Sequence, residues 1–440
     1  MAKRKRVLSG MRPTGRLHLG HYFGALSNWR DLQEARLPNR PGEYEYECLF
    51  FVADWHALTT HYEDTSSIAE NTLQVATDWL SVGLDPAKST LFVQSSVLEH
   101  AELDVLLSMI TPLSWLERVP TYKEQIENLK DRDLGTYGFL GYPLLQSADI
   151  VIYDADFVPV GEDQVPHVEL TREIVRRFNS HFGLRFSKRR FDDPNKGAVD
   201  LVLKAIDFSG ASAKELIPSV GVQYSESQKS RIDGLVRRRI AEDGLENFRK
   251  ACAAANRFLH PRQDQVLHEP SALLTETPRL PGTDGRRMAK SYGNAIWLSD
   301  PPDTIRTKVR NMMTDPQRQR RTDPGRPEVC PVFAYHKLFS PPDVIAWSDQ
   351  GCRTAGIGCV DCKKAMAENL VTWIEPVQAR RKEFEARPQE VWDILDAGSK
   401  KAHAAARRTM KRARNAIFGW DEARKERSFG RPSTKASASG

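Results

Sequence analysis

Short apolar runs alternate with helical patterns through the first 186 residues, and this alternation constrains the fold more than any other feature of the 440-residue chain. Cys48–Ala53 (CLFFVA) and Leu91–Val93 (LFV) read as buried strands, while Asp156–Val160 (DFVPV) is a weaker strand because Pro159 lies inside it. Between the first two, Ile68–Val82 sets Ala69, Leu73, Ala76 and Leu80 at helical spacing, with Ser66 and Ser67 to cap its start and Gly83 to end it. His167–Phe178 repeats the pattern with Val168, Thr171, Val175 and Phe178. Strands alternating with helices predict an α/β domain built on a parallel sheet with crossover helices. Ligands of such a sheet sit beyond the carboxyl ends of its strands.

The character changes after that. Ser187–Leu267 is charged, with sixteen Lys/Arg against ten Asp/Glu over residues 185–262, and carries little strand signal. With Arg237–Arg239 beside Ile232, Leu235, Val236 and Ile240, it reads as two or three amphipathic helices inserted into the first domain. From Asp303 the pattern is helical, ending in a long helix over Gln389–Phe418, and Ser428–Gly440 has too few apolar residues to pack and is expected to be disordered. The expected domains are therefore a catalytic α/β body (1–186 and 268–302), the helical insertion (187–267), an all-α domain (303–420) and a basic tail (421–440). Of the net charge of +6, residues 400–440 carry +9, which leaves −3 on the rest. A near-neutral body with a basic end suggests a polyanionic partner met at that end. No apolar run approaches the ~20 residues of a membrane span. Only Val7 and Leu8 follow the basic Lys3–Arg6, against the ~7–15 apolar residues of a secretory signal, so a cytoplasmic location is expected.

Two motifs carry chemistry. Gly10-Met11-Arg12-Pro13-Thr14-Gly15-Arg16-Leu17-His18-Leu19-Gly20-His21 follows a short strand, Val7–Ser9, and opens a helix that continues through Asn28–Leu32. Histidines three apart on a first helical turn share a face beside unpaired backbone N–H groups, where imidazoles can donate to phosphate oxygens. Gly20 lets a flat ring approach the backbone. The second motif, Pro281-Gly282-Thr283-Asp284-Gly285-Arg286-Arg287-Met288-Ala289-Lys290-Ser291, is a glycine-bounded loop whose three cations could close over a polyphosphate. No Walker-type or G-x-G-x-x-G phosphate loop competes with them.

His18-Leu19-Gly20-His21 and Arg287-Met288-Ala289-Lys290-Ser291 together resemble the two signatures of the class I aminoacyl-tRNA synthetases, usually H-I-G-H and K-M-S-K-S. Phe51–Thr59 (FVADWHALT), Tyr142–Ile150 (YPLLQSADI) and Val160–Gln164 (VGEDQ) look like segments of the tryptophanyl family. The sister tyrosyl enzymes share the fold but usually carry a glycine-rich version of Glu162–Gln164. The resemblance implies a Rossmann-like catalytic domain followed by an all-α anticodon-binding domain, ATP with Mg²⁺, L-tryptophan and tRNA(Trp) as reactants, and a homodimer. His18 and His21 would contact the ATP phosphates, with Arg12, Pro13, Thr14 and Gly20 on the same loop. Arg287, Lys290 and Ser291 would grip the leaving pyrophosphate, and Met288 and Ala289 would lie by the nucleotide. Gly161, Glu162 and Asp163 would line the ribose. Asp149 would accept the indole N–H, since a carboxylate only accepts and an indole only donates; a helix carboxylate paired with a neighbouring cation is its alternative reading. Tyr142, Gln146 and Gln164 would orient the amino acid. Arg12 stands where relatives carry Gln, and Ala289 replaces the usual Ser. A tyrosine-specific homologue and a non-catalytic tRNA-binding paralogue remain as alternatives.

Four of the six cysteines fall at Cys330, Cys352, Cys359 and Cys362, and four thiols within 33 residues point to a metal site. Zinc favours paired C-x₂-C arms, and only Cys359 and Cys362 form one, so an iron–sulfur cluster suits the spacing better, with zinc or plain buried thiols as the alternatives. Around Cys352–Cys362 the chain resembles a subset of bacterial tryptophanyl enzymes that carry a [4Fe–4S] cluster in the anticodon-binding domain. Cys48 and Cys252 read as inert buried thiols.

Overall fold

The computed structural model describes residues 4–120, 135–185, 203–204, 215–217, 222–251, 262–274 and 280–420. Its centre is a five-stranded parallel sheet of β1 (Lys5–Met11), β2 (Tyr46–Val52), β3 (Ser89–Val93), β4 (Phe157–Val160) and β5 (Ser271–Leu274). Their spatial order is β3-β2-β1-β4-β5. The chain thus lays β2 and β3 to one side of β1, then crosses to lay β4 and β5 on the other. That reversal opens a crevice at the carboxyl ends of β1 and β4. β1 and β2 register along their whole lengths, from Lys5 opposite Tyr46 to Met11 opposite Val52. β4 registers with β1 only at Phe157 opposite Val7. By Pro159 it has parted from β1, so the missing proline N–H costs no bond on that side and the strand survives.

Helices cover both faces. On one, α1 (Ser27–Glu34) follows a short helix, Leu19–His21, and a π turn, Tyr22–Leu26; α2 (Asp54–His61) comes next and turns His56 toward Asp149 of the other face, and α3 (Ile68–Ser81) returns to the first. Trp29 of α1 stacks on Phe50 of β2 with ring centroids 4.5 Å apart, and Trp79 of α3 meets Trp29 edge-on at 5.4 Å. Burial of each such ring contributes roughly 2–3 kcal/mol. On the other face lie α4 (Glu99–Ser108), α5 (Tyr137–Val151) and α6 (Val165–Phe182), whose Leu103, Ala148, Val175 and Phe178 are buried in the second core. The stripe read from the sequence for α6, Val168, Thr171, Val175 and Phe178, is the buried one.

Beyond residue 302 the chain is helical, as expected: α7 (Pro302–Arg310), α8 (Pro331–Phe339), α9 (Pro342–Arg353), α10 (Cys359–Glu385) and α11 (Pro388–Phe418). Four of these begin with a proline in the first turn, where its missing N–H costs nothing. Ile305, Val309, Tyr335, Leu370 and Ile374 share one core with the α3 face of the sheet. α11 then returns across the edge strand β3, with Ser399 Oγ accepting from the Val93 N–H at 3.4 Å. Gly398 makes this approach possible, because a Cβ there would collide with the Leu91 carbonyl. Gly398→Ala is expected to cost about 1–3 kcal/mol of stability, read by urea denaturation, since backbone on both sides must move.

Within the insertion, a helix over Glu226–Asp243 is capped by Ser225 and buries Ile232, Val236 and Ile240, and Leu245–Ala251 follows. Cys252, most of the insertion before Val222 and the basic tail lie outside the described residues. Among the described residues no helix is long and apolar enough to cross a membrane.

Candidate active site

The loop after β1 holds the first motif. His18 caps the turn Leu19–His21, and its backbone N–H donates to His21 Nδ1 at 3.2 Å, so the two imidazoles lie against each other with centroids 3.7 Å apart. A π turn follows at once, an arrangement frequent at functional sites. The ring approaching Gly20 is that of His18 itself, which a Cβ at Gly20 would meet at 2.9 Å.

The second motif folds over the first. Leu19 N–H donates to the Ile296 carbonyl at 2.9 Å, and Leu298 N–H to the Leu17 carbonyl at 3.0 Å, tying the segments together. Met288 is buried, with its sulfur 3.3 Å from the Gly20 N–H, and Lys290 Nζ reaches the Thr14 carbonyl at 3.1 Å. Asn294, which sequence reasoning missed, organises this loop: its Oδ1 accepts from the Ala289 N–H at 2.9 Å, and its Nδ2 donates to Asp284 at 2.7 Å and to the Arg287 carbonyl at 3.0 Å. The position where Ala289 replaces Ser is thus held through its backbone. Arg287, Lys290 and Ser291 are exposed at the rim.

Beside the joined loops a cleft of ≈ 420 Å³ opens at the strand ends, and Arg12, Tyr142, Gln146, Asp149, Gly161 and Gln164 all line it. Arg12 directly follows β1 and Gly161 directly follows β4, as the crevice rule requires. The Arg12 guanidinium stands 5.8 Å from the Tyr142 ring centroid. Glu162 and Asp163 are exposed, and Gln164 Nε2 donates to Asp163 at 3.0 Å.

Asp149 is 1% exposed, yet three side chains serve it. His100 Nδ1 lies 2.6 Å from Oδ1, His56 Nε2 lies 2.8 Å from Oδ2, and Gln94 Nε2 donates to both oxygens at 2.8 and 3.0 Å. Burial works against its charge, but the bonds from His100 and His56 outweigh burial and hold the carboxyl at about 2. Asp149 is thus a helix carboxylate bonded to two histidines that also lines the cleft. His56, His100 and Gln94 gave no signal of their own, because their role needs α2, α4 and the end of β3 brought to one point.

Burial holds three cleft and loop imidazoles neutral at pH 7. His18 is lowered to about 3, with the charge of His21 adding; His21 to about 4, with Arg287 adding; His167 to about 4, chiefly by burial. In the unfolded chain each titrates near ~6.5. The unfolded state therefore takes up protons first as the pH falls. The stability these groups contribute is complete above pH ~6.5 and is lost toward their folded values, at up to ~1.4 kcal/mol per pH unit each. Melting temperatures should fall steadily from pH 7 to 5, and His18→Asn together with His21→Asn should flatten that slope; an unchanged slope would contradict the neutral assignment.

The four cysteines come from three helix ends: Cys330 caps α8, Cys352 lies in the last turn of α9, and Cys359 and Cys362 lie in the first turn of α10. All four are free thiols. Arg318, 8% exposed, sets Nη1 3.6 Å from Cys352 Sγ, while its buried Nε has no partner. Ser348 Oγ and His336 Nε2 lie 3.3 and 3.4 Å from Cys362 Sγ. Among the described residues, no three His, Cys, Asp or Glu side chains converge as a single metal ion would need.

Comparison with known proteins agrees with this geometry. A family model described as tRNA synthetases class I (W and Y) matches residues 1–196 and 242–375. The tryptophan–tRNA ligase of Ralstonia nicotianae is 46% identical, over 94% of this chain and 98% of that protein. That of Thermotoga maritima is 42% identical, again over 94% and 98%. The crystal structure of Campylobacter jejuni tryptophanyl-tRNA synthetase complexed with ADP and tryptophan superposes with a TM-score of 0.68 at 26% identity, covering 94% of this chain and 99% of that one. With its two loops joined over a crevice at the switch point of the sheet, the chain belongs to the class I aminoacyl-tRNA synthetases, in the tryptophan–tRNA ligase family.

Proposed function

We infer that the protein is a tryptophan–tRNA ligase, which joins L-tryptophan to ATP as tryptophanyl-adenylate, releases pyrophosphate and then esterifies tRNA(Trp). The observation that carries this reading is the contact of the two loops, Met288 on Gly20 and Lys290 on Thr14, beside a cleft whose inner wall is Asp149. The tryptophan carboxylate attacks the α-phosphorus, so no protein nucleophile is required, and positioning with charge stabilisation carries the step. His18 and His21, neutral when free, donate N–H bonds to the phosphates; Arg287, Lys290 and Ser291 hold the departing pyrophosphate. Arg12, Pro13 and Thr14 frame the loop, Met288 and Ala289 flank the adenine, and Gly161, Glu162 and Asp163 face the ribose. Asp149 accepts the indole N–H, while Tyr142, Gln146 and Gln164 orient the amino acid. When bound with ATP, Mg²⁺ supplies neutralisation of the polyphosphate charge. Purified protein should transfer labelled tryptophan to tRNA(Trp) in the presence of ATP; a folded protein that charges no tRNA would overturn the reading.

Three further assignments accompany it. Cys330, Cys352, Cys359 and Cys362 hold a [4Fe–4S] cluster, which when bound cross-links α8, α9 and α10. The donor chemistry supports this: the four cysteines are free thiols at the ends of α8, α9 and α10, no three ligands among the described residues converge as a single zinc ion would need, and the unpartnered Arg318 Nε–H is available to the negative charge of a thiolate cluster. Iron and acid-labile sulfide assays on anaerobically purified protein test it, and zinc in place of iron would refute it. The exposed Lys400, Lys401, Arg407, Arg408 and Lys411 give α11 a basic face suited to tRNA. Leu98, Val105 and Met109, each more than half exposed, fall at helical spacing along α4, with the exposed Leu113 just beyond it, an apolar surface suited to a homodimer. The enzyme works in the cytoplasm, where its tRNA is.

A further inference from the structure

Asp149 and the four side chains gathered around it divide into two groups. His56 and Asp149 line the cleft; His100, Gln94 and Tyr153 do not, and each of these three is fully buried behind it. A carboxylate offers about four acceptor positions, and the three donors already described take most of them. His100 is itself braced, because its second ring nitrogen meets the Tyr153 hydroxyl at 2.6 Å. Since a carboxylate can only accept, His100 Nδ1 carries the proton of their 2.6 Å bond. Gln94 is fixed in turn, its Oε1 accepting from the Trp55 N–H at 3.1 Å. Behind the carboxylate nothing can move without breaking a second bond. On the cleft side, among the described residues, His56 is the donor to Asp149.

We propose that His100, braced by Tyr153, is a positioning residue that keeps Asp149 ionised and aimed into the cleft, and that His56 yields its place on Oδ2 to the incoming indole N–H. Recognition of tryptophan is then the exchange of one N–H for another on a carboxylate that does not move. This rests on the reading of Asp149 as the indole acceptor. It gives opposite consequences for the two histidines. Loss of His100 frees the carboxylate to turn away or take up a proton, so the indole N–H loses its partner. Loss of His56 removes a competitor.

The test compares tryptophan with 3-benzothienylalanine, in which sulfur replaces the indole N–H, as substrates for ATP–pyrophosphate exchange. In His100→Leu and Tyr153→Phe the ratio of kcat/KM for tryptophan over the analogue should fall by about 10–100-fold, the worth of a charged hydrogen bond. The fall should lie in the KM for tryptophan, with the analogue's own kcat/KM nearly unchanged. His100→Asn, which keeps a donor at the Nδ1 position, should recover most of the ratio, and His56→Leu should keep it. A merely structural role for His100 would lower both substrates together and leave the ratio intact, which overturns the proposal. Tyr153→Phe removes a single oxygen and keeps the test open if His100→Leu does not fold. A His56→Leu variant that loses the ratio would overturn the exchange. Asp149→Ala, which leaves no acceptor at this position, separates the layers. If the ratio survives there, the indole reading itself fails; if it is lost there but kept in the His100 and Tyr153 variants, only the positioning role fails.

Discussion

Lys290→Ala should slow tryptophan-dependent ATP–pyrophosphate exchange by about 10²–10³-fold, the usual cost of removing one group that stabilises developing charge. The side chain is exposed and its one bond within the protein is to the Thr14 carbonyl, so the melting temperature should not change. Binding of tRNA should also be unaffected, because the face of α11 proposed for tRNA is a separate surface. Turnover that survived the substitution would remove the second loop from the chemistry. Ala289 gives a useful contrast: Ala289→Ser adds a hydroxyl at a residue already anchored to Asn294, and should change the rate far less than the loss of Lys290.

The second large effect comes from residues outside the cleft lining. Arg381 of α10 is 2% exposed and Asp78 of α3 is 0% exposed, and the two form an ion pair. Arg381 also bonds Gln74 and, at 3.0 Å, Glu385, while the other Asp78 oxygen accepts from the Leu17 N–H at 2.8 Å. Leu17 is the residue before His18. Arg381→Met should cost about 3–5 kcal/mol in urea denaturation, because it leaves a buried carboxylate without its cation. Burial already lifts the Asp78 carboxyl to about 6, against the pull of Arg381. Without the arginine it rises further, and the folded variant takes up a proton that the unfolded chain, with its carboxyl near ~3.9, does not. The variant's deficit should therefore be larger at pH 8 than at pH 5.5. Adding Asp78→Asn should recover part of the loss and remove that pH dependence. Since Asp78 holds the backbone at Leu17, the single variant should also raise the KM for ATP.

This pair shows where the sequence stops being informative. The strands over Cys48–Ala53 and Leu91–Val93 and the helix over Ile68–Val82 were readable because their periodicity is a local property that burial then enforces. The two loops were readable through their joint resemblance to the two class I signatures, since neither motif alone marks more than histidines near a helix start or a basic loop. β5 was not, since Ser271–Leu274 is four residues long and its strand state depends on β4 alongside it. Asp78 reads in the sequence as one more polar residue on an amphipathic helix. Its burial arises only when Arg381, 303 residues later, is brought against it. His100 and Tyr153 are alike in this: an isolated histidine and tyrosine signal nothing until Asp149 lies between α4 and the cleft. Asn294 falls three residues after the recognisable loop, with no pattern to mark it.

One measurement bears most directly on the whole account: ATP–pyrophosphate exchange by the purified protein with tryptophan, with tyrosine and with no amino acid. Exchange should require tryptophan and be negligible with tyrosine; phenylalanine, which brings no donor to the carboxylate, should be rejected by ~10⁴–10⁵ without editing. Exchange supported by tyrosine, or none at all from folded protein, would contradict the assignment of Asp149 and with it the reading of the cleft.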